Sequence, residues 1–297
     1  MSLESRVKYL EENQTEVEKI NYIEITLDEC KQLPFWCYKL VGDDKCCISH
    51  LAGMPEHPDT LQQMKFTPYQ LEFIDIIDKS DNNKFHVNKP RQSGFSEIVL
   101  RIFQDRGFKK YSTKSCKYVV GTREKTTKKM IRRLKQLYKR IPDVVENNSD
   151  SLYLELKDGT SFEGLPANPE AITGDTKIAA IAMDESAKWN RIDDQEVLDA
   201  YIPIVRTNHS DLFMFSTPKG PRGFFHDIEM NDTDYQKFKY DIWATEGNLY
   251  SNQEILKMLA DPTMDTDQEY LNAYTVGRNS VFGEIDDEDI ELGELWE

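Results

Sequence analysis

The chain has 297 residues, 39% of them hydrophobic and 30% charged, and carries a formal net charge of −16. That length suits one large α/β domain with an accessory segment, or two modest domains. With no apolar run of eighteen residues and no secretory start at Met1-Ser-Leu-Glu-Ser5, a cytoplasmic protein without a membrane partner is expected. The acidic balance disfavours nucleic acid until its distribution is read. Residues 109 to 140 hold thirteen Lys/Arg against Glu124 alone, leaving 24 bases and 52 acids elsewhere, so a local polyanion contact stays open.

In chain order, residues 1 to 20 read as helical, with Leu3, Val7 and Leu10 apolar, and Thr26-Leu-Asp-Glu29 starts a short helix that ends before Pro34. Residues 1 to 60 form a helical and irregular lead-in. Cys30, Cys37, Cys46, Cys47 and Cys116 are an odd set, expected to be reduced thiols. Cys37, Cys46, Cys47 and His50 can be drawn as a zinc site, but they lack the paired C-x2-C hooks that zinc favours. Thr67-Pro68 then caps a helix over 68–78 whose apolar residues are Tyr69, Leu71, Phe73, Ile74 and Ile77.

A strand over 84–88 leads into the loop Lys89-Pro-Arg-Gln-Ser-Gly-Phe-Ser96 and a helix ending at Gly107. A second strand, 117–121, precedes a basic helix. There Met130, Leu134, Leu137 and Ile141 form a stripe expected to pack on the sheet with the bases outward, until Pro142 stops it. Leu152, Leu154 and Leu156 alternate into Asp158-Gly159, a hairpin signal. The apolar strand 178–183 delivers Asp184 and Glu185 to its carboxyl end, 211–215 is a buried strand ending in Ser216-Thr-Pro-Lys-Gly220, and 238–243 adds one more. Strands separated by helices predict an α/β fold with a mainly parallel sheet flanked by helices, and the loop 89–96 together with the acid-tipped strand gives it the layout of a P-loop NTPase (ASCE type). Its ligands would sit outside the strands' carboxyl ends, where all three motifs lie.

A nucleoside triphosphate needs backbone amides around its β-phosphate, a cation for its γ-phosphate and a hydroxyl for magnesium. In the loop, Gly94 permits the close turn, Ser96 offers the hydroxyl, and the helix N-terminus points its positive end at the phosphates. Phe95 stands where the phosphate-binding lysine normally sits, while Lys89 occupies the place of the first glycine and Arg91 adds a second cation. A strand-to-helix connection that binds nothing is the rival. Asp184 would orient the magnesium shell and Glu185 activate water; an exposed acid pair is the plainer alternative. Gln70 could read an adenine edge while Tyr69 stacks, and Ser216, Thr217 and Pro218 could sense the γ-phosphate, although a surface glutamine and a capped turn would look the same. On the basic helix Lys128, Lys129, Arg132 and Arg133 are candidate contacts to a DNA backbone, against the reading of a solvated charged face.

In this order the motifs make the chain resemble the N-terminal ATPase domain of terminase large subunits, the viral and prophage motors that thread double-stranded DNA into procapsids. The matching segments are Phe66-Thr-Pro-Tyr-Gln70 as the adenine-side motif and Lys89-Pro-Arg-Gln-Ser-Gly-Phe-Ser96 as Walker A. Leu165 to Gly174 precedes the next strand, Ala182-Met-Asp-Glu185 matches Walker B, and Phe215-Ser-Thr-Pro-Lys-Gly220 the coupling motif. The resemblance covers about residues 20 to 283. It implies an ATPase domain over 61–283, with ATP and Mg2+ held by Tyr69, Gln70 and the loop Lys89, Pro90, Arg91, Gln92, Ser93, Gly94, Phe95 and Ser96. Ser96 and Asp184 would hold the metal, with Glu185 catalytic alongside Lys89 and Arg91, and Ser216, Thr217 and Pro218 coupling hydrolysis to DNA movement. Its implied partners are double-stranded DNA, a homo-oligomeric ring on a portal or procapsid, and a small terminase subunit, in the host cytoplasm if viral or prophage-encoded. Two departures from the pattern are Phe95 and Thr173, where many members carry lysine and arginine. Such subunits usually continue into a nuclease; the acidic tail 284–297 lacks its framework, so no DNA cutting is expected. Phe95 favours one alternative, a non-hydrolysing nucleotide- or DNA-binding assembly protein with a decayed loop; a P-loop helicase is another.

Overall fold

The central strands are buried at every position rather than alternating, the pattern of strands covered on both faces. Lys84–Asn88 (β1) and Asp211–Ser216 (β7) are buried throughout, as is Ile178–Asp184 (β6). The structure is a computed structural model describing residues 67–121, 124–138, 145–172, 177–189 and 194–275. The lead-in over 1–60 with Cys30, Cys37, Cys46, Cys47 and His50, the Thr173-Gly174 pair, and the tail 284–297 lie outside the described residues.

The remaining strands are Ser115–Val120 (β2), Val145–Asn147 (β3), Tyr153–Leu156 (β4), Ser161–Leu165 (β5) and Gln236–Lys239 (β8). They form one eight-stranded sheet in the order β3-β4-β5-β2-β6-β7-β1-β8. From β5 to β8 all neighbours are parallel, and β4 and β3 extend the β5 edge antiparallel. The expected hairpin joins β4 to β5 through Gly159, which takes φ +85°.

Helices cover both faces. On one lie Pro68–Lys79 (α1), Phe95–Gly107 (α2) and Glu124–Tyr138 (α3); on the other lie Asp194–Asn208 (α4) and Gly223–Met230 (α5). Two short helices, Asn252–Leu259 (α6) and Thr266–Glu269 (α7), close the described chain. Successive side chains of a strand serve opposite faces. Phe213 and Phe215 pack with α2, Leu212 and Met214 with α4 and α5. Thr67 starts α1 with a capping box, its hydroxyl accepting from the Gln70 amide while Gln70 Oε1 accepts from Thr67 N at 2.9 Å.

Three expectations shift. The buried stripe of α3 is Thr127, Ile131, Leu134 and Leu137/Tyr138, with Met130 only half-buried and Ile141 outside the described residues. The phase is set by Gly164 on β5, where a Cβ would lie 2.5 Å from Thr127 and 2.8 Å from Ile131, so α3 approaches the sheet backbone along that line. β2 stops at Val120 because Gly121 turns to φ +47°. The last strand is Gln236–Lys239, not 238–243. Asp241 accepts from Trp243 N at 3.0 Å and turns the chain, so that Ile242 packs with Ile255 and Tyr270. Among the described residues no helix is long and apolar enough to cross a membrane.

Candidate functional site

Neighbouring parallel strands end together, so the sheet order brings three sequence-distant loops to one edge. β6, β7 and β1 are adjacent, with Asp184 opposite Phe215 and Ser216 opposite Asn88. Lys89 N donates to Ser216 O at 2.9 Å, which fixes the start of the loop before α2. Within that loop Gln92 and Gly94 take φ +58° and +76°, a conformation that only glycine adopts without cost. Gly94 is also confined sterically, since a Cβ there would lie 3.0 Å from Gln70 Nε2.

Two side chains of α1 brace the loop from behind. The Tyr69 hydroxyl donates to the Ser93 carbonyl, and Gln70 Nε2 donates to the same oxygen at 3.2 Å. Burial pushes the Tyr69 phenol up to about 12, so it stays a neutral donor. Its ring lies 4.9 Å from that of Tyr240 and is 5% exposed. The roles expected of this pair, a base stacked on Tyr69 and an adenine edge read by Gln70, are therefore not set up in this arrangement. One ring is covered and both ends of one amide are engaged, by the loop and by the cap. Among the described residues, the amides of 92 to 96 have no protein acceptor.

Phe95 points away from the loop. It is 1% exposed, with its ring 4.9 Å from Phe73 and 5.4 Å from Phe215. The loop's first residue does bring a cation to this edge: Lys89 is buried and its Nζ pairs with the Glu185 carboxylate. Beside that pair Ser96 Oγ donates to Asp184 Oδ2 at 2.9 Å, and the Tyr118 hydroxyl donates to the same oxygen at 2.9 Å. Asp184 Oδ1 is buried without a partner. Glu185 sits in the left-handed region, φ +52°, where the chain turns off β6, so the two adjacent acids take different directions.

Their electrostatics diverge as well. Burial, and then the neighbouring Glu185 charge, push Asp184 up to about 6 against the pull of Lys89. Burial would raise Glu185 too, but Lys89 and then Lys188 outweigh it and hold this carboxyl below its ordinary value. A hydroxyl and a carboxylate with one orphaned oxygen are hard oxygen donors of the kind that magnesium takes, so Ser96 and Asp184 fit that ion.

The remaining predicted residues are less direct. Arg91 lies at the rim, its side chain 55% exposed and 3.5 Å from Glu269. Ser216 and Thr217 are fully buried; Ser216 Oγ donates to the Thr217 carbonyl at 2.7 Å, and Thr217 Oγ1 has no partner. After Pro218 the loop is held where Gly220 N donates to Gln268 Oε1 at 2.9 Å. On α3 Lys129 and Arg132 are exposed, while Lys128 pairs with Glu124 at 2.6 Å. Arg133 does not simply face outward: it pairs with Glu97, the residue after Ser96.

Tyr118, Lys188 and Glu269 belong to the site but not to the sequence reading. Tyr118 left a faint signal, a phenol in a wholly buried strand that must find a partner. Glu269 left none.

No family model and no curated protein matches the chain. Solved structures do share its fold. The large terminase of bacteriophage HK97 aligns at TM-score 0.60 and 14% identity, over 76% of this chain and 54% of that one. The ATPase domain of a Thermus phage large terminase aligns at TM-score 0.56 and 18% identity, over 77% of this chain and 97% of that domain. The large terminase of a thermophilic bacteriophage in complex with ATP-gamma-S aligns at TM-score 0.56 and 15% identity, over 71% and 53%. The chain thus spans about half of the longer terminases and nearly all of the separate ATPase domain. Its mostly parallel sheet flanked by helices is the fold of those ATPase domains.

Proposed function

We propose that this chain is a large-terminase ATPase domain, a magnesium-dependent ATP hydrolase whose turnover moves double-stranded DNA. The observation that carries the reading is the convergence of Lys89 with Glu185 and of Ser96 with Asp184 at one sheet edge, beneath a loop with open amides. The shared fold supports it.

In this reading the β- and γ-phosphates of ATP lie on the amides of 92 to 96 at the start of α2, where the helix dipole favours anions. Lys89 and Arg91 neutralise the terminal phosphate. Ser96 and Asp184 hold magnesium, which when bound offsets charge on the phosphate oxygens. Glu185 takes a proton from water as the water oxygen bonds to the γ-phosphorus; the bond to the β–γ bridging oxygen breaks, releasing ADP and phosphate. Before nucleotide arrives, Lys89 and then Lys188 hold the Glu185 pKa down, so the base waits in its ionised form. Because Lys89 rests on Glu185, an arriving triphosphate recruits the cation and frees the base in one exchange. Tyr69 and Gln70 support the loop, and any contact of Gln70 with adenine requires its amide to leave Ser93. The proposal extends to DNA on the basic face of α3, to movement relayed through Ser216, Thr217 and Pro218, and to a homo-oligomeric ring at a portal with a small terminase subunit.

The test is ATP hydrolysis by wild type, Glu185→Gln and Lys89→Ala. Loss of the base should cut turnover by about 100-fold or more while a non-hydrolysable analogue still binds, and loss of Lys89 should weaken both. Equal background rates in all three would remove the enzymatic reading. Phe95 in the core favours a second reading, a non-hydrolysing nucleotide-binding assembly protein. Calorimetric binding of the analogue without turnover in wild type would select it.

A further inference from the structure

Two cations at the rim, Arg91 and Lys188, end on one carboxylate that the proposed chemistry leaves unused. Glu269 closes α7. Its backbone carbonyl accepts from Arg91 N at 2.8 Å, and its carboxylate lies 3.5 Å from Arg91 Nη1 and 3.3 Å from Lys188 Nζ. Lys188 in turn stands 3.7 Å from Glu185 Oε2. The side chain of Glu269 is 14% exposed and that of Lys188 27%, so the Lys188 arm is partly shielded from the solvent that weakens surface pairs, while Arg91, 55% exposed, reaches the same carboxylate from the rim.

The backbone around Glu269 is held on several sides. Asp265 accepts from Gln268 N at 3.2 Å, Gln268 Oε1 accepts from Gly220 N, and Tyr270 O accepts from Ile242 N at 2.9 Å. Asn272 Nδ2 donates to Asn88 O at 3.4 Å. The segment therefore ties together the chain ends leaving β1, β7 and β8, and its carboxylate is presented from a fixed frame.

We infer that Glu269 is a positioning residue of the nucleotide site, which holds Arg91 and Lys188 in reserve beside the phosphate position and keeps Lys188 shared between itself and Glu185. This deepens the ATP-hydrolysing reading and rests on it. A bridged cation is less available to a phosphate, so Glu269 competes with nucleotide. It also draws Lys188 away from the carboxylate that must face the attacking water.

Glu269→Gln separates these effects from a scaffolding role, because it keeps the side-chain shape and the backbone bond to Arg91 and removes only the charge. Titration calorimetry of the full chain with a non-hydrolysable ATP analogue in EDTA should show binding about three- to tenfold tighter. Steady-state hydrolysis with magnesium should show KM falling because Arg91 is freed to the phosphate, and kcat falling because Lys188 closes onto Glu185. Glu269→Asp, which retains the charge, should recover most of the wild-type kcat. Analogue binding that is unchanged or weaker in Glu269→Gln, or a fall in kcat with KM unchanged or raised, overturns the inference while leaving the ATPase reading intact. A wild type that neither binds the analogue nor hydrolyses ATP overturns both. Should Glu269→Gln fail to fold, Lys188→Met leaves Arg91 alone on Glu269, and the analogue should bind about threefold more weakly; unchanged affinity there would equally overturn it.

Discussion

Phe95 and Lys89 stand at opposite ends of the loop that leads into α2 and face opposite environments. Phe95 spends the first helical position on the core, wedged between Phe73 and Phe215, while the cation enters from the opposite end of the loop. Phe95→Ala should therefore cost about 3–5 kcal/mol of unfolding free energy in urea, and Phe95→Lys should not restore nucleotide binding to a Lys89→Ala chain. A loss below about 1 kcal/mol on truncation would mean that the ring is not part of the core. That Lys89 offers a cation at the head of a loop lacking one at Phe95 was legible, because loop length and residue type are local properties. Glu269 was not and Tyr118 only faintly so, since the first acts across 178 residues of chain from Arg91 and the second across a strand pair.

β1 shows how an element constrains what its residues can do. Buried on both faces, it carries His86 with the ring 2.9 Å from the Phe225 carbonyl and its centroid 4.0 Å from the Phe225 ring. Burial pushes the imidazole down to about 4, with Glu229 opposing. A depressed folded-state pKa gives stability that is present above the unfolded value of about 6.5 and lost as pH falls towards 4, on the order of 3 kcal/mol. Buried Asp105 acts in the opposite sense: pushed up to about 6, it contributes below pH 4 and loses that contribution as pH rises through 6. The two trends overlap, so the variant must be compared with wild type rather than read alone. Urea unfolding of His86→Leu should show a flatter acid loss between pH 6.5 and 4.5 than wild type, whatever its absolute stability; parallel curves would show that His86 charges without penalty. α3 gives the complementary lesson. Its amphipathic period was plain in the sequence, but its phase was set by Gly164 on a strand of another segment.

Along the sequence the bases and acids are segregated, and the structure places α3, the helix that carries part of the basic run, on the same face of the sheet as the loop helix α2. Arg133 joins the two by pairing with Glu97, beside Ser96. Exposed Lys129 and Arg132 remain for a polyanion. Charge reversal at both should weaken duplex DNA binding about tenfold or more at moderate salt and lower the salt-dependence slope by about two. If filter binding across a salt series gave the same line for both proteins, α3 would be a solvated face and no more. Arg133→Glu tests a different point, because it also removes a partner of Glu97, next to the Ser96 hydroxyl proposed to hold magnesium.

By itself the sequence determined the parallel α/β architecture, the hairpin, the strand-ending motifs and the identity of Lys89, Ser96, Asp184 and Glu185, because hydrophobic period, turn residues and strand termini are written locally. Tertiary structure alone decided which groups meet. Strand order set β1 beside β7 and β7 beside β6, so residues almost a hundred positions apart, Lys89 and Glu185, share one ion pair. The same packing turned Tyr69 and Gln70 inward onto Ser93, where a backbone carbonyl at a tight turn needs donors, and brought Glu269 over the loop. Such contacts depend on how the elements stack against one another, a geometry that no periodicity within a single element specifies.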